Sequence, residues 1–167
     1  SRPVIWAGGG VVAGGAAEWV VRLAEATGTP VTMSLMGLGA VPHDHPLGLG
    51  MLGMHGTPWA NYALRECDLL FALGVRFDDR ATGRLASFAP DARVVHIDID
   101  PAEIGKLRKP VVPVVSDLAT ALPEICGLVD ESLAEAGRDA QPARTQAWRD
   151  RLQAYRNGCV WPPLHAG

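Results

Sequence analysis

Leu69-Leu70-Phe71-Ala72-Leu73-Gly74-Val75-Arg76-Phe77-Asp78-Asp79-Arg80 is the stretch that decides the fold and points to the site. Its first five residues form a continuous apolar run that ends at a glycine, which is typical of a strand buried on both faces of a parallel sheet. Two arginines and two aspartates follow this run. Ligands of open α/β sheets bind in the crevice beyond the carboxyl ends of the strands. The stretch therefore predicts a buried strand with a ligand site at its carboxyl end.

Apolar runs and helical periods alternate along the chain on both sides of this strand. Further strands are predicted over residues 3–7, 31–34, 93–98 and 111–115, and helices over 14–27, 58–66 and 118–127. Between them, residues 35–57 are predicted to form a long glycine-rich loop, and 75–92 a loop or short helix. This alternation indicates an α/β fold, a Rossmann-like parallel sheet of about five to six strands with helices on both faces.

The character of the sequence changes near residue 127. Residues 1–127 are predicted to form one α/β domain, and 128–167 a linker or peripheral segment. A polar helix is expected over about 143–156, with a narrow apolar stripe of Trp148, Leu152 and Tyr155, and the end at 161–164 is expected to be extended. Because the chain starts at Ser1 and enters a strand at once, we expect it to be a piece of a longer protein.

Composition narrows the class of protein. The chain has 167 residues, 48% of them hydrophobic and 20% charged, with a net charge of −3, so nothing in its bulk charge suggests a nucleic-acid partner. Cys67, Cys126 and Cys159 are odd in number and form no CxxC pair, which disfavours a disulfide framework or a zinc site. With no long apolar run and no signal peptide in the sequence, we expect a cytoplasmic protein without a membrane partner.

A glycine-rich segment follows the first predicted strand. Gly8-x-Gly10-x-x-Ala13 matches the dinucleotide fingerprint G-x-G-x-x-G/A, in which glycines let backbone N–H groups approach a phosphate. A tight turn without a ligand is the alternative. The acid that holds a ribose of NAD at the end of the second strand is missing, because Met33 or Ser34 stands there. The common NAD site is therefore disfavoured, and with it a dehydrogenase.

Polar residues mark the ends of later strands. Asp98 is predicted to contact ribose hydroxyls, and Asp100 to cap the turn at Pro101. Arg76 and Arg80 are predicted to clamp a phosphate or diphosphate, since a guanidinium offers two parallel donors. The alternative for this cluster is a surface knot of salt bridges with its aspartates.

A metal site is not predicted. His43-x-His45 lacks a third ligand at sensible spacing, so solvated loop histidines are expected there.

Four segments in order closely resemble the catalytic subunit of acetolactate synthase (acetohydroxyacid synthase). They are Leu35-Met36-Gly37-Leu38-Gly39, Met51-Leu52-Gly53-Met54-His55-Gly56-Thr57, Gly74-Val75-Arg76-Phe77-Asp78-Asp79-Arg80 and His96-Ile97-Asp98-Ile99-Asp100. The resemblance covers about residues 1–127 and implies the central, FAD/nucleotide-binding domain of a thiamine-diphosphate enzyme. It implies that residues 128–167 are the connector toward a C-terminal domain that is absent from this sequence. Such an enzyme uses thiamine diphosphate and Mg²⁺ to decarboxylate pyruvate and join the product to pyruvate or 2-oxobutyrate, in branched-chain amino-acid synthesis.

The resemblance also implies the positions of the site. FAD contacts are expected at Gly8, Gly9, Gly10, Ser34, Leu35, Met36, Gly53, Met54, His55, Gly74, Val75, Arg76, Asp78, Arg80, Asp98, Ile99 and Asp117. Asp79 and Arg80 are expected to line the substrate channel. Implied partners are the flanking domains of the parent chain, a second or further copies in a homodimer or homotetramer, and a regulatory subunit.

Two departures limit what the resemblance implies. Ser116 stands where family members have glycine, and its side chain is expected to crowd the adenine end of FAD. The thiamine-diphosphate motif (Gly-Asp-Gly followed by Asn-Asn) and the activating glutamate are absent from the sequence, so no catalytic residue is assigned and the fragment alone is expected to be inactive. The central domain of a sister enzyme, such as glyoxylate carboligase or pyruvate oxidase, and a scaffold domain that binds no nucleotide remain alternatives.

Overall fold

The structure is a computed structural model that describes residues 1–137 and 140–159, except for the side chains of residues 140 and 141. Its strands are β1 (Pro3–Ala7), β2 (Val31–Met33), β3 (Gly48–Met51), β4 (Leu69–Leu73), β5 (Arg93–Asp98) and β6 (Val112–Val115). Its helices are α1 (Gly9–Ala13), α2 (Ala17–Thr27), α3 (Pro58–Glu66), α4 (Asp79–Thr82), α5 (Leu118–Ala136) and α6 (Ala140–Gly158). Short 3₁₀ turns lie at Leu35–Gly37 and Leu85–Ser87.

The six strands form one sheet in the order β3-β2-β1-β4-β5-β6, and every neighbouring pair is parallel. The prediction of an α/β fold with a parallel sheet is confirmed. The strand order reverses direction between β1 and β4, which is the topological switch point where ligands of such sheets bind.

Apolar side chains project from both faces of the sheet into two hydrophobic cores. In β1, Val4 and Trp6 join the core on one face, under α3 and α6, while Ile5 and Ala7 join the core on the other, under α2 and α5. The same division explains why the central strands are continuously apolar rather than alternating.

Local signals fix several helix ends. Thr57 caps α3 by accepting a hydrogen bond from the amide of Ala60 (3.2 Å), and Pro58 occupies the first turn. Asp117 caps α5 by accepting one from the amide of Ala119 (2.9 Å). Gly28 ends α2 with φ 63°, in the left-handed region that glycine adopts readily.

Three predicted elements need correction. The loop predicted over 35–57 contains strand β3, whose sequence lacks a strand signal because two of its four residues are glycines. The helix predicted over 14–27 is α2, which begins only at Ala17. A separate short helix, α1, precedes it, and Gly14 and Gly15 lie between the two, with Gly15 at φ 65°. The helix predicted over 118–127 continues to Ala136, with Pro123 in its first two turns.

The helix predicted over 143–156 is α6, and it packs against α2 and α3. Trp148 and Leu152 of its apolar stripe are each 3% exposed and belong to the same core as Trp6. Tyr155 lies at the surface and stacks on Tyr62, with ring centroids 4.0 Å apart. The extended end predicted at 161–164 lies outside the described residues, and the division of the chain near residue 127 stays a prediction.

Candidate functional site

The predicted site residues all stand where the strands end. Gly8–Gly10 follow β1, Ser34–Met36 follow β2, Gly53–His55 follow β3, Gly74–Arg80 follow β4, Asp98 and Ile99 close β5, and Asp117 follows β6. Because the six strands are parallel, these positions share the carboxyl edge of the sheet. We call this surface the carboxyl edge.

The turns that follow β1 and β4 are in backbone contact at the middle of the carboxyl edge. A Cβ added at Gly8 would lie 2.1 Å from the carbonyl oxygen of Gly74, and one at Gly10 would lie 2.8 Å from the Cα of Gly74. Gly10 also donates a hydrogen bond from its amide to that oxygen (3.2 Å), and Gly74 has φ 59°. The fingerprint glycines are therefore required by the chain's own packing at the switch point, whatever else they contact.

The two arginines of the opening stretch are exposed at this edge. The ion pairs among residues 1–137 and 140–159 join other side chains: Arg22 with Asp130, His45 with Glu25, Lys106 with Glu103, and Arg151 with Glu66. Asp78 caps α4 instead, accepting a hydrogen bond from the amide of Ala81 (3.1 Å). The alternative of a salt-bridge knot is therefore wrong, and the guanidiniums of Arg76 and Arg80 carry no carboxylate partner within the described residues.

Phe77 turns its ring into the core between these exposed neighbours. Its backbone is left-handed (φ 53°), which is unfavourable for a bulky residue by about 1–3 kcal/mol. The ring is 3% exposed and meets Trp6 and His96 edge to face, at centroid distances of 5.0 and 5.2 Å. This burial offsets the backbone strain and leaves Arg76 and Asp78 facing solvent on either side.

His96 contributes to the arrangement of this site, although the sequence alone predicted no role for its side chain. It is completely buried in β5, and its Nε2 donates a hydrogen bond to the carbonyl oxygen of Val75 (3.0 Å). Val75 directly precedes Arg76. The available signal was a histidine between the apolar residues Val95 and Ile97 of the strand.

Large apolar side chains are also exposed at the carboxyl edge. Leu35 (68%), Met36 (73%), Met54 (81%) and Ile99 (68%) follow β2, β3 and β5. Large exposed apolar groups along the carboxyl edge are typical of a surface that contacts another apolar surface, such as a flat ring or another domain.

The carboxylates at the β5 and β6 ends have local partners. Asp98 is 8% exposed and accepts a hydrogen bond from the amide of Asp100 (2.9 Å). Asp100 accepts one from the amide of Ala102 (2.9 Å), so the predicted cap of that turn is confirmed. One oxygen of Asp117 caps α5, and the hydroxyl of Ser116 donates to the Asp117 carbonyl (3.1 Å).

A cleft of about 810 Å³ lies beside the edge, between α3 and the segment that follows β4. Asp79 and Arg80 line it, together with Gly53 and Met54. Asn61 of α3 holds the Gly53 turn through two hydrogen bonds of 2.9 Å. The two residues expected in a substrate channel thus share a cavity with two of the expected FAD contacts.

Other reactive groups have structural roles. His45 donates from Nε2 to Glu25 (3.2 Å) and accepts from the amide of Leu47 (3.2 Å), and no group of metal ligands is present in the described part of the chain. Burial, reinforced by the neighbouring Asp68 carboxylate, raises the pKa of the Cys67 thiol to about 12. Burial also raises the pKa of Cys126. No helix within residues 1–137 and 140–159 is both long and apolar enough to cross a bilayer.

Comparison with known proteins agrees with this geometry. The chain is 56% identical over 124 residues to a probable acetolactate synthase large subunit of Methanocaldococcus jannaschii, covering 74% of this chain and 21% of that protein. It is 50% identical over 155 residues to acetolactate synthase 1, chloroplastic, of Zea mays, covering 93% and 23%. It is 50% identical over 156 residues to the acetolactate synthase large subunit of Parasynechococcus marenigrum, covering 93% and 24%.

The chain thus spans about a fifth to a quarter of the length of these relatives. Residues 1–125 match the family model described as thiamine pyrophosphate enzyme, central domain. With its parallel sheet and the similarity to acetolactate synthase large subunits along most of its length, the chain belongs to the family of thiamine pyrophosphate enzyme central domains.

Proposed function

We propose that this chain is the central domain of an acetolactate synthase large subunit and that its carboxyl edge binds FAD. The parent enzyme would condense two pyruvates, or pyruvate with 2-oxobutyrate, with loss of CO₂. Support comes from the identity of 50% to the acetolactate synthases of Zea mays and Parasynechococcus marenigrum across 93% of the chain. Residues 1–125, which match the family model, include the strand ends on which the proposed site depends.

The observation that carries the FAD assignment is the pair of exposed arginines after β4, beside the switch point. Guanidiniums without carboxylate partners suit a diphosphate, which accepts paired, charge-assisted hydrogen bonds. Asp98, at the end of the next strand, suits a ribose hydroxyl, since carboxylate oxygens accept hydrogen bonds. Exposed apolar groups such as Met36, Met54 and Ile99 suit the flat adenine and isoalloxazine rings. The residues present therefore fit the group.

The proposed role of these residues is binding and orientation. FAD supplies no net redox chemistry to this reaction. The carboligation belongs to thiamine diphosphate and Mg²⁺, whose motif is absent from the sequence and which the flanking domains of the parent would hold. Asp79 and Arg80, in the cleft of about 810 Å³, are proposed to border the path of the substrate. A homodimer or homotetramer, a regulatory subunit and a cytoplasmic location are further proposals for the parent.

Titration with FAD tests this function. Arg76→Ala removes charge-assisted hydrogen bonds worth about 1.5–3 kcal/mol, so FAD affinity should fall by roughly 10- to 100-fold. Arg93→Ala is the matched control, because Arg93 is also exposed but begins β5, at the opposite edge of the sheet. Flavin fluorescence of the chain, and of the parent enzyme, gives both dissociation constants.

Two results would count against the proposal. If neither the chain nor the parent enzyme binds FAD, the cofactor is wrong. If Arg76→Ala and Arg93→Ala change affinity equally, FAD binds elsewhere.

A further inference from the structure

We propose that His96 is a positioning residue, whose buried N–H fixes the segment that presents Arg76 to a dinucleotide phosphate. The inference rests on the proposed function, because it names the side chain that prepares the same edge for its ligand. We call the segment Val75–Arg80 the arginine loop.

The hydrogen bond from His96 follows directly after the last backbone hydrogen bond between β4 and β5. The last backbone bond between β4 and β5 runs from the amide of Gly74 to the carbonyl of Ile97 (2.9 Å). One residue further, the carbonyl of Val75 accepts its hydrogen bond from the His96 imidazole instead (3.0 Å). A side chain thereby extends the pairing of the two strands up to the residue before Arg76.

The same imidazole forms one wall of the socket for Phe77. Trp6, Ala72 and His96 are register partners across β1, β4 and β5, so their side chains share one face of the sheet. Ala72 is small, and the Phe77 ring lies against both larger neighbours, at centroid distances of 5.0 Å to Trp6 and 5.2 Å to His96. His96 therefore holds the arginine loop at two points, the Val75 carbonyl and the Phe77 ring.

The second ring nitrogen shows that this donor is required. Nδ1 of His96 is buried and has no hydrogen-bond partner within the described residues. A buried polar atom without a partner is unfavourable, so an aliphatic residue would suit this apolar face better if packing were the only demand. The Nε2–H bond to Val75 is the feature that a leucine or valine could not supply.

Three variants of the parent enzyme test the inference. His96→Leu removes the donor at similar volume, and His96→Gln keeps an amide N–H of comparable reach. Val94→Ala is the control for general destabilisation. Val94 is 1% exposed on the same face of β5, but its side chain is aliphatic and its carbonyl accepts a hydrogen bond from the amide of Val111 (2.8 Å), not from the arginine loop. Hydrogen exchange of residues 75–80, FAD affinity and melting temperature are measured for each.

We expect His96→Leu to speed amide exchange in the arginine loop and to weaken FAD binding about tenfold. His96→Gln should restore most of both. Val94→Ala should lower the melting temperature, whereas amide exchange in the arginine loop and FAD affinity should stay close to those of the unsubstituted enzyme. If His96→Leu does not fold, His96→Asn replaces it, because the shorter amide places its nitrogen near the Nδ1 position and cannot reach Val75.

The outcomes separate the two proposals. Unchanged loop exchange in the donor-less variant overturns the positioning role, as does an equal effect of Val94→Ala. Faster exchange with unchanged FAD affinity overturns the link from His96 to the ligand. If no protein in the series binds FAD, but loop amides still exchange faster when the N–H donor at position 96 is removed, the cofactor assignment is wrong. The positioning of the arginine loop by His96 is then still supported.

Discussion

Gly8 shows at the scale of one residue how packing restricts sequence. Gly8→Ala would place a methyl group 2.1 Å from the Gly74 carbonyl oxygen and 2.5 Å from a Val75 methyl, so backbone must move. We expect a loss of at least about 2 kcal/mol in the free energy of unfolding, measured by urea denaturation. Gly127→Ala is the control: it lies within α5 with nothing within 4 Å, and should stabilise by about 0.5–1 kcal/mol. Equal midpoints for Gly8→Ala and the parent chain would refute the contact.

Ser116 is the residue at which the sequence departs from its resemblance. If its side chain crowds the adenine end of FAD, Ser116→Gly should bind FAD several-fold more tightly. Ser116→Ala is the matched comparison, because it removes the hydroxyl that bonds to the Asp117 carbonyl (3.1 Å) but keeps the Cβ. Tighter binding by the glycine variant alone assigns the crowding to Cβ, and tighter binding by both assigns it to the hydroxyl. No gain in either would remove Ser116 from the site.

At the scale of elements, strand β4 depends on burial of its apolar side chains. Leu70 is completely buried, so Leu70→Asp places a carboxylate in the core without a partner and should unfold the chain at ambient temperature. Leu128→Asp introduces the same change on α5, where the side chain is 66% exposed, and should alter the melting temperature little. Circular dichroism during heating distinguishes the two, and a cooperative transition near the parent's in Leu70→Asp would contradict the role given to β4.

Elements with strong local signals were predictable, and those held by tertiary contacts were not. β1 and β4 are continuous apolar runs, β5 is rich in β-branched residues, and α3 begins at a clear Thr57-Pro58 signal. β3 has neither feature: Gly48 and Gly50 interrupt it, and pairing with β2 rather than intrinsic preference makes it a strand.

The position of the candidate site was predictable for a topological reason. Parallel strands bring every strand end to one edge, so residues as far apart in sequence as Gly10 and Gly74 could be expected to meet. Two details could not be predicted: the burial of the Phe77 ring and the hydrogen bond from His96 to Val75. The left-handed backbone of Phe77 and the partner of a buried imidazole depend on tertiary packing, which no local sequence pattern records.

For the whole molecule, α6 tests whether residues beyond 127 are peripheral. Trp148 is 3% exposed, and its Nε1 donates a hydrogen bond to the Pro3 carbonyl in β1 (3.1 Å). Trp148→Ala should therefore cost about 3–5 kcal/mol in unfolding free energy, by chemical denaturation. Gln153→Ala, an exposed change on the same helix, should cost far less. A small loss in Trp148→Ala would instead support the linker prediction.

The placement of Arg76 and Arg80 relative to the later aspartates gives the carboxyl edge a direction. After β4, beside the switch point, the cations Arg76 and Arg80 accompany Asp78 and Asp79. The charged groups directly at the ends of β5 and β6, toward one side of the sheet, are the carboxylates Asp98, Asp100 and Asp117. A phosphate moved toward β6 would lose the attraction of the arginines and would be repelled by these carboxylates. An elongated anion with a sugar at one end can consequently lie across these strands in one sense only, so polarity of the sheet edge, rather than shape alone, would dictate which end of the molecule lies over which strand.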